Sequence, residues 1–416
     1  MRLRLEQLVI RFSLSSRMDH LATPLAPFDS QPRTRIVFGN GSLHRLGALT
    51  RELGGTRVLL VTDQGIALAG HAETASMSLR NAGMQVALFD ALRQNPTTLD
   101  VARCLEIARS ESVDLIIGLG GGSSIDTAKG CNFLLTNGGE MRDYWGVGKA
   151  TKPMLPLIAI PTTAGTGSEC QSAALIADET THQKMACLDP KAAARIALLD
   201  PQLTVSQPAH VTAVTGVDAI THAIESAVTT RRNAVSVMYS HEAFKLCVTS
   251  LPRVLADPDD VGARGRMLLG AAFAGLAIES SMLGAAHSAA NPLTARYNVV
   301  HGCAVGIMLP HVIRYNAVEP AARLAYAELA SAPEIAAVSQ GVDLAVQALV
   351  SRVEGLLNLA GIPRSLRECG VDPAGIPLLA SEAAQQWTAS FNPRPIAATN
   401  FVALYELAME RRGEGE

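Results

Sequence analysis

The sequence lacks both an excess of one charge and a long hydrophobic run, and each absence excludes a class of protein. Its 416 residues hold 35 lysines and arginines against 38 aspartates and glutamates, a formal net charge of −3. Without a basic patch there is no electrostatic surface for nucleic acid, so we expect no nucleic-acid partner. The longest strongly apolar stretch, residues 267–278, is well short of the roughly 20 residues that span a bilayer. We expect a buried helix there and no membrane partner.

Cysteine is scarce and follows no pattern. The 7 cysteines are scattered without a Cys-x-x-Cys pair, which excludes a zinc knuckle and favours reduced thiols in a cytoplasmic protein. Residues 1–17 are rich in arginine, but the apolar patch at 8–10 is too short for a secretory signal. We therefore predict that residues 1–33 form a poorly ordered N-terminal extension, dispensable over 1–17. An upstream start before Met18 is favoured there over an organellar targeting segment.

Short apolar runs alternate with helical stretches from about residue 34. The runs end at Asp, Gly or Pro, as buried parallel strands do, and lie at 58–62, 86–89, 115–119, 157–160 and 196–199. Segments with helical apolar spacing lie around them, at 43–53, 65–81, 99–110 and 124–135. This βαβα pattern predicts an α/β N-terminal domain over residues 34–206, with a parallel sheet covered by helices on both faces.

Strand signals stop after Asp200 and Pro201. The rest of the chain is rich in Ala, Leu and Met at helical spacing, which predicts an all-α C-terminal domain over residues 207–416. Because proline removes a helical hydrogen bond, we expect the helices to break at the prolines of this half. These are Pro252, Pro258, Pro292, Pro310, Pro320, Pro363 and Pro393.

A glycine-rich turn follows one of the predicted strands. Residues 114–129 read DLIIGLGGGSSIDTAK: an apolar strand, the glycines Gly120, Gly121 and Gly122, and a helix beginning near Ser123. Glycine lets backbone amides approach an anion, and a helix N-terminus adds unpaired N–H groups with a partial positive charge. The pattern predicts a pyrophosphate cradle, and the alternative is a turn without a ligand.

Two further groups occupy the same edge of the predicted sheet, where open α/β sheets bind their ligands. Residues 161–169, PTTAGTGSE, interleave glycines with hydroxyl side chains suited to a sugar-phosphate or an amide ring. Asp63 ends another strand, where its carboxylate can accept both ribose hydroxyls and repel a 2′-phosphate, which favours NAD over NADP. Capping of the following helix is the alternative role of Asp63.

An aspartate and three histidines suggest a metal site. Asp218 and His222 lie four residues apart and share one face of a predicted helix. Alone, such a pair is more typical of a surface hydrogen bond. His287 and His301 stand among small apolar residues, where an imidazole needs a polar partner. Together the four side chains form a suitable ligand set for a divalent metal such as Fe²⁺ or Zn²⁺.

Taken in order, these motifs resemble the iron-dependent (group III) alcohol dehydrogenases. The similarity covers residues 34–405, with markers at 38–41, 61–63, 95–97, 120–126, Lys129, 161–169, Lys184, 215–225, His287, 301–302, 309–311 and 392–394. The resemblance implies an N-terminal dinucleotide domain, a helical C-terminal domain, and a cleft between them that holds NAD(P) and a metal.

The resemblance also assigns roles to single residues. It places the metal ligands, through which catalysis would occur, on Asp218, His222, His287 and His301. Cofactor contacts are expected at Asp63, Asn95, Gly120, Gly121, Gly122, Ser123, Asp126, Thr162, Thr163, Thr166, Ser168 and Lys184. Many members carry a histidine four residues after the third ligand, where this chain has Asn291, and asparagine cannot titrate. We expect Asn291 to position substrate or water. The alternative is a helix-ending asparagine, because Pro292 follows.

The resemblance implies a metal-dependent, NAD-linked alcohol dehydrogenase or aldehyde reductase that acts on a small alcohol or aldehyde. Hydride would pass between the carbinol carbon and the nicotinamide, with the metal polarising the oxygen. One alternative is a non-redox lyase of the dehydroquinate synthase type, whose usual ligand set begins with glutamate instead of Asp218. Another is a catalytically silent, NAD-binding relative. We expect a homodimer or a higher homo-oligomer.

Overall fold

The computed structural model describes residues 27–410, except residues 94, 182, 332, 334 and 337. Residues 1–17, which we predict to be dispensable, lie outside the described residues. Most of the predicted extension over 1–33 lies outside them as well. Arg33, at the end of that extension, forms an ion pair of 2.9 Å with Glu279 in the helical half.

Six parallel strands form the main sheet. They are β1 (Arg35–Phe38), β2 (Arg57–Val61), β3 (Gln85–Phe89), β4 (Leu115–Gly120), β6 (Leu157–Pro161) and β9 (Ile196–Leu199). Their order across the sheet is β1-β9-β6-β4-β2-β3. The five strands predicted from apolar runs are all present. A second sheet consists of β5 (Gly146–Val147), β7 (Ala173–Ala177) and β8 (Lys184–Leu188). In it, β8 pairs in parallel with β5 and antiparallel with β7.

Helices cover both faces of the main sheet, as predicted. They are α1 (Leu46–Glu52), α2 (Gln64–Leu68), α3 (His71–Asn81), α4 (Thr98–Ser110) and α5 (Gly122–Asn137). Alternate residues of β2 enter different cores: Leu59 and Val61 pack in one, Val58 and Leu60 in the other. The helix predicted over 65–81 is divided, because Gly70 adopts a φ of 82° and ends the continuous turn.

The second half of the chain is helical. Its long helices are α6 (Ala209–Ser226), α7 (Ala234–Ala256), α8 (Val261–Ser280), α9 (Ala285–Tyr297), α10 (His301–Asn316), α11 (Pro320–Ser331), α12 (Val342–Leu359), α13 (Ile376–Gln385) and α14 (Ala398–Met409). The last strand of the main sheet ends at Leu199 and α6 begins at Ala209, so the predicted boundary near residue 206 falls between them.

Three predicted helix breaks are wrong. Pro252 lies inside α7, Pro292 inside α9 and Pro310 inside α10. Each proline removes one helical hydrogen bond, but Pro292 and Pro310 are buried, and the packing of these helices outweighs that loss.

The apolar stretch 267–278 lies in α8, as predicted. Among the described residues, α8 is the one helix long and apolar enough to cross a membrane by length and composition, and 67% of its most apolar window is buried. It packs against α6 and α7. We interpret α8 as the central helix of the C-terminal core.

The order of strands brings the predicted site loops together. β4 lies between β2 and β6, with Gly118 in register with Val61 and Gly120 in register with Pro161. The turns that follow these three parallel strands therefore meet at the carboxyl edge of the sheet.

Candidate functional site

The three histidines predicted as metal ligands all lie close to the carboxylate of Asp218. Its Oδ1 lies 3.5 Å from His222 Nε2, 3.4 Å from His287 Nε2 and 3.8 Å from His301 Nε2. Asp218 and His222 come from α6, His287 from α9, and His301 is the first residue of α10. The ligand atoms of Asp218, His222 and His287 lie within 4.8 Å of one another, a closer group that does not include His301. His301 is also the most exposed of the four, and stands on the accessible side of the cluster.

Two atoms of this cluster are buried without a hydrogen-bond partner among the described residues. They are Asp218 Oδ1 and His287 Nε2. Buried polar atoms are normally paired, because an unpaired one costs the free energy of its lost hydration. A divalent cation satisfies a carboxylate oxygen and convergent imidazole nitrogens together. The residues therefore fit a metal ion.

The cluster is also electrostatically prepared to receive a cation. Burial alone would raise the pKa of Asp218, but the imidazoles of His222, His287 and His301 lower it below its ordinary value. Burial lowers the pKa of His222, and lowers that of His301 to about 3, so both rings can offer a lone pair at neutral pH. Burial also acts to lower the pKa of His287, but Glu225 and Asp218 outweigh it and raise that pKa to about 9. A proton therefore competes with a metal for this third ring.

Two further groups hold the histidine rings from behind. The carbonyl oxygen of Gly165 lies 3.3 Å from His222 Nδ1, and a carboxylate oxygen of Glu225 lies 2.5 Å from His287 Nδ1. No motif in the sequence pointed to a role for Glu225. Its spacing was a usable signal, because Glu225 follows Asp218 by seven residues and so lies on the same face of α6.

The glycine turn after β4 is shaped by close contacts. Gly120 has a φ of 146°, and a Cβ on it would lie 2.3 Å from Ser124 Oγ. A Cβ on Gly122 would lie 2.9 Å from Thr166 Cγ2, while the nearest atom to a Cβ on Gly121 would be 3.4 Å away. The three glycines therefore add no side chain of their own where the turn enters the N-terminus of α5, which is what close approach of a pyrophosphate to the backbone amides requires.

Asn95 and Ser123 meet beside this turn. The backbone N–H of Asn95 donates to Ser123 Oγ over 3.3 Å, and Asn95 adopts a left-handed φ of 56°. Asparagine tolerates this conformation better than most residues. The structure thus brings both predicted cofactor residues to one place.

Asp63 caps a helix, the alternative that its sequence position allowed. Its Oδ1 accepts a hydrogen bond of 3.0 Å from the backbone N–H of Ile66 in α2. Its Oδ2 lies 3.4 Å from where a Cβ on Gly120 would stand, so the second oxygen faces the glycine turn. Capping uses one oxygen and leaves the other beside the predicted ribose position, so the two roles are compatible.

The loop after β6 joins the sheet to the helical half. Thr162 is buried and its backbone N–H donates to the carbonyl of Gly120. A Cβ on Gly165 would lie 2.6 Å from Thr215 Cβ in α6, and a Cβ on Gly167 would lie 2.7 Å from the carbonyl oxygen of Ala271 in α8. These glycines are explained by close packing between the two halves of the chain.

Thr163 and Thr166, on the same loop, face the glycine turn. The Thr163 side chain lies closest to the position of a Cβ on Gly121, and Thr166 to that of a Cβ on Gly122. Both hydroxyl residues therefore stand beside the predicted phosphate position.

Asp126 and Ser168, both predicted to contact the cofactor, belong to a buried network. Ser168 Oγ donates to Asp126 Oδ1 over 2.7 Å. The buried ammonium of Lys129 donates to Ser168 Oγ and to the carbonyls of Ser168, Gln171 and Ala173 over 2.7–3.0 Å. Burial raises the pKa of Asp126 and lowers that of Lys129. The network fastens the loop to α5, and the cofactor roles of Asp126 and Ser168 remain predictions.

Lys184 lies within the electrostatic reach of both parts of the site. It is the first residue of β8 and its side chain is accessible to solvent. Desolvation by surrounding protein atoms lowers its pKa, and the charges of Asp126 and Asp218 act in the opposite direction. The charge of Lys184 therefore interacts both with Asp126, behind the glycine turn, and with Asp218 of the metal cluster.

Asn291 lies within α9, so the prediction of a helix-ending asparagine is wrong. It follows His287 by four residues, one turn along the same face, and the helix continues past it to Tyr297. Its side chain is partly exposed, and Nδ2 donates to Gln386 Oε1 over 3.0 Å.

Comparison with known proteins gives one consistent result. Residues 32–201 match the family model described as iron-containing alcohol dehydrogenase, and residues 212–409 match the model of the C-terminal part of that family. The chain is 32% identical over 373 residues to the NAD-dependent methanol dehydrogenase of Bacillus methanolicus, covering 90% of this chain and 97% of the relative. It is 34% identical over 376 residues to the lactaldehyde reductase of Escherichia coli K12, covering 89% and 97% respectively. The crystal structure of a 1,3-propanediol oxidoreductase superposes with a TM-score of 0.89 at 31% identity, covering 92% of this chain and 100% of that chain.

Proposed function

The chain belongs to the iron-containing alcohol dehydrogenase family, and on that premise we propose that it transfers hydride between the carbinol carbon of a small alcohol and NAD. The observation that carries this proposal is the convergence of Asp218, His222 and His287, with two buried atoms left for a cation to satisfy. The reverse reaction is the reduction of the corresponding aldehyde.

We propose that Asp218, His222, His287 and His301 hold Fe²⁺, with Zn²⁺ as the alternative. The family description names iron, and one carboxylate with three imidazoles suits either ion. A bound divalent metal supplies Lewis acidity toward the oxygen of the alcohol or aldehyde. His301, the most exposed of the four ligands, is on the side from which a substrate would approach.

The glycine turn and its neighbours would hold the dinucleotide. We propose that the backbone of Gly120, Gly121 and Gly122 and the N-terminus of α5 bind the pyrophosphate, with Ser123 beside them. Asn95, Thr162, Thr163, Thr166 and Lys184 are proposed as further contacts, as are Asp126 and Ser168. Asp63 would face the adenosine ribose, and its charge favours NAD over NADP.

The side chains of the cleft would orient the substrate and handle its proton. Asn291 lies one turn from His287 and can donate and accept hydrogen bonds, but it cannot hold a labile proton near neutral pH. We propose that it positions substrate or water, and that the proton leaves through water or a ribose hydroxyl. Its hydrogen bond to Gln386 fixes the amide in place.

The two alternative functions have less support. The named relatives are a dehydrogenase and a reductase, which favours redox chemistry over a lyase of the dehydroquinate synthase type. A catalytically silent relative would have no need of four convergent ligands.

The cellular location, the domain boundary and the assembly complete the proposal. We propose a cytoplasmic location, in keeping with cysteines that show no paired spacing in the sequence and of which five are buried thiols. We propose a division near residue 206 into a dinucleotide domain and a metal-binding helical domain. A homodimer or higher homo-oligomer is proposed as the assembly.

The proposal is tested by measuring activity on a series of substrates with different metals bound. Purified protein is loaded with Fe²⁺, with Zn²⁺ or with neither, and NADH formation is followed with a series of primary alcohols and diols. We expect metal-dependent NADH formation with at least one of them. The proposal would be contradicted if protein that retains its metal oxidised none of the alcohols and also failed to reduce the matching aldehydes with NADH.

A further inference from the structure

Glu225 is a buried carboxylate that serves two donors at once. It lies in the last turn of α6, and its Oε2 accepts from His287 Nδ1 over 2.5 Å. Its Oε1 accepts from the backbone N–H of Ala286, at the start of α9, over 2.7 Å. Glu225 and His287 are 3% and 4% exposed. Because both side chains are buried, these hydrogen bonds lie in a low-dielectric environment and are stronger than they would be at the surface.

The contact with Glu225 decides which nitrogen of His287 can bind a metal. An ionised carboxylate only accepts hydrogen bonds, so the Nδ1 that faces it must carry a proton. The proton on Nδ1 leaves Nε2 as the nitrogen with a free lone pair. That nitrogen points toward Asp218 Oδ1, 3.4 Å away, and has no hydrogen-bond partner among the described residues.

The surroundings of Glu225 are built to fit its carboxylate. A Cβ on Gly284 would lie 3.2 Å from Glu225 Oε1 and 3.0 Å from Asn392 Oδ1. Asn392 Oδ1 accepts a hydrogen bond from the backbone N–H of Ala285. The next residue, Ala286, donates its backbone N–H to Glu225. Two side chains distant in sequence thus cap the first turn of α9, which carries His287.

We propose that Glu225 is a positioning residue that fixes the tautomer and the orientation of His287 for metal binding. It acts through His287 and the helix turn that carries His287, and does not itself bind the metal. This inference rests on the proposed metal site. Hydrogen bonds of this kind to a ligating histidine typically change metal affinity by about 10- to 100-fold when removed.

The Glu225→Gln variant tests the inference with little change of shape. Glutamine has one acceptor oxygen and one donor NH₂ group, so it can accept from Ala286 or from His287 but not from both. If it keeps the bond to Ala286, its NH₂ faces His287 Nδ1, which moves the ring proton to Nε2 and blocks the ligand nitrogen. Glu169→Gln is the matched control, since Glu169 is 1% exposed and lies outside the metal cluster.

The main readout is binding of Co²⁺ alone to the otherwise intact, metal-stripped protein. Co²⁺ affinity is measured by competition with a chelator, and the visible absorption of the bound Co²⁺ reports its ligand geometry. We expect E225Q to bind Co²⁺ about 10- to 100-fold more weakly with shifted absorption bands, and E169Q to match the unmutated protein. An affinity within twofold and an unchanged spectrum for E225Q would overturn the inference.

A second measurement does not depend on E225Q. With ¹⁵N-labelled histidine and Zn²⁺ in the unmutated protein, the His287 signal, assigned by its loss in His287→Gln, should show a proton on Nδ1 that is protected from exchange. A proton on Nε2 instead would overturn the inference even if E225Q does not fold. Failure of the unmutated protein to bind Co²⁺ or Zn²⁺ would contradict the proposed metal site itself, which distinguishes the two cases.

Discussion

Gly167 and Gly275 face each other backbone to backbone where the loop after β6 meets α8. A Cβ on Gly275 would lie 2.4 Å from the carbonyl oxygen of Gly167, and a Cβ on Gly167 would lie 2.8 Å from the Cα of Gly275. Backbone atoms cannot turn aside as the end of a side chain can. The positions of Thr166 and Ser168, which flank Gly167, are therefore set by packing against the helical half of the chain.

Gly275→Ala should destabilise the protein by about 1–3 kcal/mol, because the new methyl group forces the loop away from α8. The Michaelis constant for NAD should rise as well, since the loop carries Thr163 and Thr166. Urea unfolding and steady-state kinetics measure the two effects.

Gly355→Ala is the control. Gly355 lies within α12, and the position of its Cβ is surrounded by open space. Alanine there should therefore stabilise the protein by about 0.5–1 kcal/mol. Equal stability changes in the two variants would contradict the argument.

His222→Ala should remove the bound metal and the activity together. One ligand is lost from a cluster whose Asp218 Oδ1 already lacks a hydrogen-bond partner among the described residues. Elemental analysis of purified protein measures the metal, expected at about one ion per unmutated chain. A variant with full metal content and normal turnover would show that His222 is not a ligand.

Asp63→Asn should weaken the preference for NAD over NADP. Asparagine can still cap α2, so the helix is retained while the negative charge is lost. We expect the ratio of kcat/KM for NAD to that for NADP to fall about tenfold, equivalent to about 1.4 kcal/mol. If the unmutated enzyme already prefers NADP by such a factor, the interpretation of Asp63 is wrong.

Glu169→Gln should change how stability depends on pH. Burial raises the pKa of Glu169 from 4.5 to about 7, and its Oε1 has no hydrogen-bond partner among the described residues. Between these values the folded chain keeps a proton that the unfolded chain releases, so the free energy of unfolding falls as the pH rises through this window. Glutamine has no such proton. The stability of E169Q relative to the unmutated protein should therefore rise by about 3 kcal/mol between pH 4.5 and about pH 8. If urea unfolding showed that the free energies of unfolding of the two proteins change in parallel with pH across that range, the raised pKa of Glu169 would be refuted.

Asn291→His should add a titrating group to the cleft. The side chain lies one turn from His287 on the same face of α9, so an imidazole there should alter the pH dependence of kcat near the ordinary histidine pKa of about 6.5. Asn291→Gln, which adds length but no titration, is the control. An unchanged profile in a folded, metal-loaded N291H variant would show that Asn291 does not face the reacting groups.

Much of the fold could be predicted because its signals are local. Strands such as Leu157–Pro161 and Ile196–Leu199 are buried along their whole length, so each reads as an apolar run. The ordered motifs predicted the family, and both family models confirm it. β1 was missed because Arg35 and Phe38 are exposed at the edge of the sheet. β7 was missed because its alanine-rich sequence has no intrinsic preference for a strand.

The parts of the site that sequence analysis missed depend on contacts between distant residues. The pairing of Glu225 with His287 crosses 62 residues, and that of Lys129 with the carbonyl of Ala173 crosses 44. Pro292 was misread for a related reason, since burial of α9 decides its course and is not visible in the local sequence. The convergence of Asp218 and His222 was predictable because one helical turn separates them.

The ammonium of Lys129 also constrains the order in which the chain can become stable during its synthesis. Lys129 is translated well before its acceptors, the carbonyls of Ser168, Gln171 and Ala173, which emerge 39 to 44 residues later. Until the ribosome has passed Ala173, packing α5 onto the sheet would bury a cation with nothing to receive its N–H groups. A chain that ends at β6 therefore contains none of the three residues whose carbonyls accept from Lys129. Translation past Ala173 supplies the last of these acceptors, and the main sheet itself is completed only with β9, which lies between β1 and β6.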